Sequence, residues 1–211
     1  MIQIRTFTFS PFQENTYILY DESKQALIID AGCSNRQEQA EVRDFLENNE
    51  LKASKLLNTH AHIDHVLGNK FIYDEYGLKT HMSAKEMPVF KAAEQTAQMY
   101  GLPYDHCDEI EEYIEEGDQI QWGNSSLDTL WVPGHSPGHL VFYHPKQNFM
   151  IGGDVLFRGS IGRTDLPGGD HQTLLNMIQE KVFSLDEEMK VYSGHGEPTT
   201  VGYEKRFNPF F

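Results

Sequence analysis

Residues 56–70 read LLNTHAHIDHVLGNK: an apolar run with the look of a strand, followed at once by His60, His62 and His65, with Asp64 between the last two. Imidazoles held this close repel one another when protonated, and desolvated rings need partners. A chain that packs them together must arrange them around something cationic. His60 and His62 lie two apart on an extended segment, so their rings project to one side. Asp64 and His65 fall where the chain turns toward a helix and can face the same space from another direction. One loop therefore offers four candidate ligands.

Four further segments set histidine or aspartate beside glycine, which lets the backbone turn sharply and present the side chain. They are LIIDAG (27–32) with Asp30, VPGHSPGH (132–139) with His135 and His139, IGGDVLF (151–157) with Asp154, and YSGHGEP (192–198) with His195. Imidazole and carboxylate donors without thiolate suit zinc, manganese or iron at a catalytic site that keeps a position open for water. Cys33 and Cys107 lie far apart in the chain, and so form neither a CxxC pair nor a disulfide framework.

The surrounding pattern is mixed. Residues 2–9, 15–20 and 25–32 read as a strand meander, rich in β-branched and aromatic side chains. Ser34 and Gln37 form an S-x-x-Q box that predicts a helix to about Asn49, with Val42, Phe45 and Leu46 inward. SKLLNTH returns as a strand, a helix follows through residues 66–77, and a second box, Ser83 with Glu86, opens another helix. In the second half, VFYHPKQNFMIGGD (141–154) echoes ILYDESKQALIID (18–30), with strands near 118–122, 126–132 and 189–193 and a helix near 171–184. Two β-then-α halves are expected, sheet against sheet with helices outside both, in a single domain over residues 1–211.

Charge narrows the partners. Thirty-two Asp and Glu against 17 Lys and Arg give a formal charge of −15, which repels a polyanion, so nucleic acid is not expected. The segment CDEIEEYIEEGDQ (107–119) is expected to be a solvated face or loop. No apolar run approaches the roughly 20 residues of a membrane span, and the opening residues lack a secretory signal. A cytoplasmic location without membrane association is the expectation.

HxHxDH at 60–65 with His135, Asp154 and His195 resembles the pattern of the metallo-β-lactamase fold hydrolases, over essentially the whole chain. GRTDLPGGD (162–170) and GHGEPTTVGYEKRFNPF (194–210) resemble the glyoxalase II-like branch in its single-domain form, with the persulfide dioxygenases close by. The resemblance implies an α+β fold, a four-layer αβ/βα sandwich with the metal site at the edge between the sheets. It implies two divalent ions, zinc first with iron or manganese as the other candidates. One ion falls to His60, His62 and His135, the second to Asp64, His65 and His195, and Asp154 bridges them. Asp30 and His139 are expected to support these ligands from behind. Arg163, in GRTD, sits where related enzymes keep a basic residue for the anionic end of the substrate; a structural salt bridge is the competing reading.

The implied activity is hydrolysis of a small-molecule thioester of the hydroxyacylglutathione type by a metal-bridging hydroxide, with Asp154 and Asp64 catalytic. Full-length glyoxalase II enzymes carry a C-terminal helical region that supplies much of the glutathione contact. This sequence ends soon after His195, so glutathione itself is not implied. Two other readings stay open. His60, His135 and Asp154 alone would make the two-histidine, one-carboxylate triad of a mononuclear iron persulfide dioxygenase, and a non-catalytic metal-binding module would use the same ligands. Neither the oligomeric state nor the native metal is written in the sequence.

Overall fold

A computed structural model describes all of residues 1–211. Alternation of apolar side chains builds the first half around an antiparallel meander, Gln3–Phe9 (β1), Glu14–Tyr20 (β2) and Gln25–Ile29 (β3). Arg36–Asn48 (α1) crosses to the parallel strand Lys52–Leu57 (β4). Ile63–Val66 (α2) and Asn69–Tyr76 (α3) lead to Thr80–Met82 (β5), again parallel. Met87–Lys91 (α4) and Ala93–Tyr100 (α5) precede the last strand of this sheet, Ile110–Tyr113 (β6). The six strands lie in sequence order.

The second half contributes Gln119–Trp122 (β7), Ser125–Trp131 (β8), Leu140–His144 (β9) and Phe149–Gly153 (β10). A small hairpin, Leu156–Phe157 (β11) and Ser160–Ile161 (β12), follows. His171–Met177 (α6) continues as a π turn over Ile178–Val182. Lys190–Ser193 (β13), Thr199–Thr200 (β14) and Val201–Phe207 (α7) complete the chain. The second sheet has the order β14-β13-β10-β9-β8-β7. The internal echo is structural: β2–β3 and β9–β10 are both antiparallel hairpins, and each is followed by a helical crossover to a parallel neighbour, β4 and β13.

Period-two alternation explains the layers. Tyr17, Leu19, Leu27, Ile29 and Leu57 face Leu127, Leu140, Phe142 and Ile151 across the gap between the sheets. The intervening residues Ile18, Ala26, Ile28 and Leu56 pack outward against Val42 and Leu46 of α1. Val141, Met150 and Val191 do the same with Leu174, Ile178 and Val201. Both sheets are covered on both faces, which is the four-layer sandwich.

One local expectation is corrected. The cap of α1 is Asn35, one residue later than the serine box: its Oδ1 accepts the amides of Gln37 and Glu38. Glu38 meanwhile accepts from the Ser34 amide and hydroxyl. Asparagine and serine are equivalent N-caps, and the one with the downstream amides in reach prevails. Within the acidic 107–119 segment, β6 presents Glu111 and Glu112 to solvent, a solvated face as expected, and their charge blunts a sheet edge.

At the end of the sandwich away from the histidines, Asp21 ties one half to the other. Its carboxylate accepts from the Ser23 amide (2.8 Å) and hydroxyl, the Asn124 amide (2.9 Å) and the Ser125 hydroxyl (2.6 Å). Burial pushes this carboxyl up, but hydrogen bonds from Ser125, Ser23 and Asn124 outweigh it and hold it below its ordinary range. The stabilisation is therefore complete above the ordinary carboxyl pKa of 3.8 and is lost as pH falls through the lower folded value. Asp21→Ala is expected to cost about 1–2 kcal/mol at pH 7, the net worth of hydrogen bonds to a charged group whose half-buried or exposed donors can turn to water. Urea titrations at neutral and strongly acid pH check this, the gap between wild type and variant narrowing in acid.

Candidate metal centre

The site lies where the strands of both sheets end. Asp30 follows β3, His60 follows β4, and His62, Asp64 and His65 lie on the turn into and within α2. His135 comes from the β8–β9 loop, Asp154 follows β10 and His195 follows β13. Two backbone positions make the turns possible. Asp30 adopts a φ of 54°, a region aspartate tolerates better than most residues. Gly153 has a φ of 49°, and a Cβ there would lie 2.5 Å from Thr59 Oγ1 and 2.6 Å from the His139 ring.

Six of the seven sequence-derived ligand candidates converge in two groups, Asp154 lies beside both, and Asp30 forms a third, overlapping group with His60 and His65. In the first, His62 Nδ1 lies 2.8 Å from His135 Nε2, which lies 3.2 Å from His60 Nε2. In the second, Asp64 Oδ2 is 3.1 Å from His195 Nε2 and 3.8 Å from His65 Nε2. Asp154 faces both: Oδ1 is 3.5 Å from His65, while Oδ2 is 3.6 Å from His135 and 3.4 Å from His195. His60, His65 and His135 are buried, and Asp154 is 8% exposed.

Electrostatics distinguishes the groups. Burial holds His60, His62 and His135 below the ordinary imidazole range, His62 down to about 3 with the neighbouring His135 adding to the effect. Burial acts the same way on His65 and His195, but there the carboxylates of Asp64 and Asp154 outweigh it. His65 is raised well above its usual value and His195 to about 10. Despite burial, Asp154 and Asp64 are held below the usual carboxylate range by His65 and His195. One group thus offers lone pairs that no proton occupies, and the other demands positive charge. His65 Nε2 and Asp154 Oδ1 are buried without a hydrogen-bond partner. Converging nitrogens and carboxylate oxygens with orphaned inner atoms fit a divalent metal site.

The outer nitrogens of His60, His65, His135 and His195 are engaged, which fixes those ring orientations. His65 Nδ1 lies 3.0 Å from Asp30 Oδ2, which also accepts the Thr59 hydroxyl, and that hydroxyl oxygen lies 3.0 Å from His60 Nδ1. His135 Nδ1 donates to the Arg163 carbonyl (2.7 Å) and His195 Nδ1 to the Phe12 carbonyl (3.2 Å). His139 Nε2 accepts the Asp154 amide at 3.0 Å, and its ring stacks on His60. Asp30 and His139 each contact these residues, Asp30 at the outer nitrogen of His65 and His139 at the backbone of Asp154. The Arg163 side chain sits on the rim, 55% exposed, in a bidentate pair with Asp165 at 2.8 Å. His81 hydrogen-bonds Leu56 and His144 lies under a turn, both away from the site.

Several supporting residues escape sequence reasoning. Glu86 is no capping-box partner: Ser83 alone caps the turn, and the Glu86 carboxylate points inward with no exposure. It accepts from the Ala61 amide, between His60 and His62, and from the Ser136 hydroxyl and Gly138 amide, beside His135. Glu14 is also fully buried, taking the Thr16 hydroxyl at 2.9 Å and lying 3.9 Å from His65 Nδ1. Asn15 and Tyr17 hold the His195 loop through the Ser193, Gly194 and Gly196 carbonyls. Glu204 accepts from Thr199, Gly159 and Asn208, and so fixes the β11–β12 hairpin beside the site. A charged residue opening the apolar strand ENTYILY was the available signal for Glu14; Glu86 was masked by its match to a cap.

A cavity of about 760 Å³ opens onto His62, Asp64, His135, Asp154 and His195. Because Glu86 fastens both loops of the first histidine group, Glu86→Gln is expected to lower metal affinity about 10–100-fold, the usual effect of losing a group that orients ligands. Chelator competition monitored with cobalt absorption checks this.

The model of the metallo-β-lactamase superfamily matches residues 9–195. A relative from Haemophilus influenzae named hydroxyacylglutathione hydrolase GloC is 35% identical, covering 99% of this chain and 98% of its own. Among solved structures, the BLEG-1 B3 metallo-β-lactamase is 33% identical with a TM-score of 0.90, covering 99% of both chains. TTHA1623, in a di-iron-bound form, is 33% identical with a TM-score of 0.87, over 98% of this chain and 100% of that one. The two-sheet sandwich, the strand-end histidines and the near-complete overlap with these relatives agree: the chain belongs to the metallo-β-lactamase superfamily.

Proposed function

We propose that the chain is a thioester hydrolase of the glyoxalase II type, working with two divalent ions, zinc first among the candidates. The observation that carries this reading is the position of Asp154, whose two oxygens face His65 on one side and His135 and His195 on the other. The relative named as a hydroxyacylglutathione hydrolase supports the reaction class, and the di-iron-bound TTHA1623 supports a paired site.

On this reading His60, His62 and His135 hold one ion, Asp64, His65 and His195 the other, and Asp154 both. When bound, such a pair lowers the pKa of a shared water toward roughly 7 and polarises a carbonyl. The chain supplies orientation. Asp30, through Thr59 and directly, engages the outer nitrogens of His60 and His65, and the Arg163 and Phe12 carbonyls engage those of His135 and His195, so that the inner nitrogen of each ring is the one aimed at the ions. A leaving thiolate, of pKa about 8.5, needs no protein acid, and no further acidic group of the cavity is required for it. Arg163, on the rim, takes the anionic end of the substrate by exchanging its partner Asp165.

Three measurements test this. Wild type is expected to hold nearly two metals per chain, and Asp154→Ala to lose metal from both sites together with turnover; full metal content in that variant overturns the assignment. Arg163→Ala is expected to raise KM for a carboxylate-bearing thioester far more than for a neutral one, with kcat little changed. Finally, His195→Ala is expected to cut turnover of S-lactoylglutathione on the order of 100-fold or more. Wild-type oxygen uptake dependent on glutathione persulfide and iron, with negligible thioester cleavage, would instead establish the dioxygenase.

A further inference from the structure

The helices α4 and α5 carry two apolar stripes where one would suffice for folding. The inner stripe, Phe90, Ala93 and Ala97, is buried against Ile63, Val66 and Met82. The outer stripe, Val89, Ala92, Thr96 and Tyr100, recurs at helical spacing and lines the cavity over the metal centre. Ala92 and Tyr100 are exposed, and Tyr100 meets Phe12 edge-on with ring centroids 5.5 Å apart. Phe157 lines the cavity as well, from the hairpin that Glu204 fixes. Apart from Asp64, Asp154 and histidines, Arg163 is the one lining side chain with a formal charge, and Asp165 already shares it.

A thiol bearing several anionic groups would find a single guanidinium here and a wall whose Thr96 hydroxyl already donates to the Ala92 carbonyl, leaving the Tyr100 hydroxyl as its one further side-chain donor. An aliphatic or aromatic arm would remove that wall from water. Resting on the thioesterase reading, we propose that the outer stripe of α4 and α5 is a specificity wall, and that the preferred substrate is a thioester with an extended apolar acyl arm and at most one anionic group.

The test uses the metal-loaded enzyme with the N-acetylcysteamine thioesters of acetate, butyrate and hexanoate, compared with S-lactoylglutathione. kcat/KM is expected to rise about fourfold per added methylene, the full transfer value, with the hexanoyl ester exceeding S-lactoylglutathione. Ala92→Glu is expected to flatten the series. Calorimetry on the same protein is expected to show hexanoate binding at least about tenfold more tightly than acetate, a preference the Ala92→Glu variant loses. A flat series in wild type, or equal binding of the two acids, overturns the proposal. Preferential hexanoate binding with no thioester cleaved at all supports the wall and rejects the thioesterase reading.

Discussion

The carboxylate of Asp30 is the contact on which the metal edge depends. It accepts the Thr59 amide at 2.7 Å, the Thr59 hydroxyl at 2.6 Å and the His65 ring at 3.0 Å. Of the five imidazoles packed around one space, four have the outer nitrogen engaged, which aims the inner nitrogen at a cation's position. Asp30 does this for two rings, and its left-handed backbone turns β3 away so that Gly32 can approach Thr16 and Glu14 closely. The direction in which His60 and His65 point follows from this one side chain, and the placement of Asp154 beside them follows in turn.

Other buried carboxylates repeat the device at longer range. Glu86 joins the loops of His60–His62 and His135, Glu204 joins the C-terminal helix to the β11–β12 hairpin, and Asp21 joins the hairpins at the far end. Each meets three or more donors, the condition under which a buried carboxylate is tolerated. A single Gln or Ala at such a position leaves several donors unpaired at once, so these sites concentrate stability in few residues.

Legibility in the sequence followed the range of each interaction. His60, His62, Asp64 and His65 could be read from local spacing, alternate residues on an extended segment sharing a side, and His135, Asp154 and His195 from the glycines beside them; their grouping into one set of seven came from the family resemblance. The sandwich could be read because its central strands are apolar on both faces and each half follows them with a helix. Glu86 could not, because its partners Ser136 and Gly138 lie about 50 residues away while a plausible cap lies three residues away. Glu204 and Asn208 were quoted only as part of a family motif; their work on Gly159 and Ser160, more than 40 residues upstream, appears only in three dimensions. Asn35 displaced Ser34 as a cap because two equivalent residues competed within one turn.

The internal echo divides the donors between halves. His60, His62, Asp64 and His65 belong to the first sheet's connections, whereas His135, Asp154 and His195 belong to the second's. Neither half owns a complete set: the first group borrows His135 and the second borrows His195. An ion captured at this edge is therefore also a clasp between the two sheets, beside the packing and the hydrogen bonds of Asp21, Glu86 and Asn15 that join them, and its binding free energy adds to their docking. Thermal resistance of the whole molecule becomes a function of free metal concentration, and a cell short of metal would hold a population of this chain that is easier to pry open at one edge.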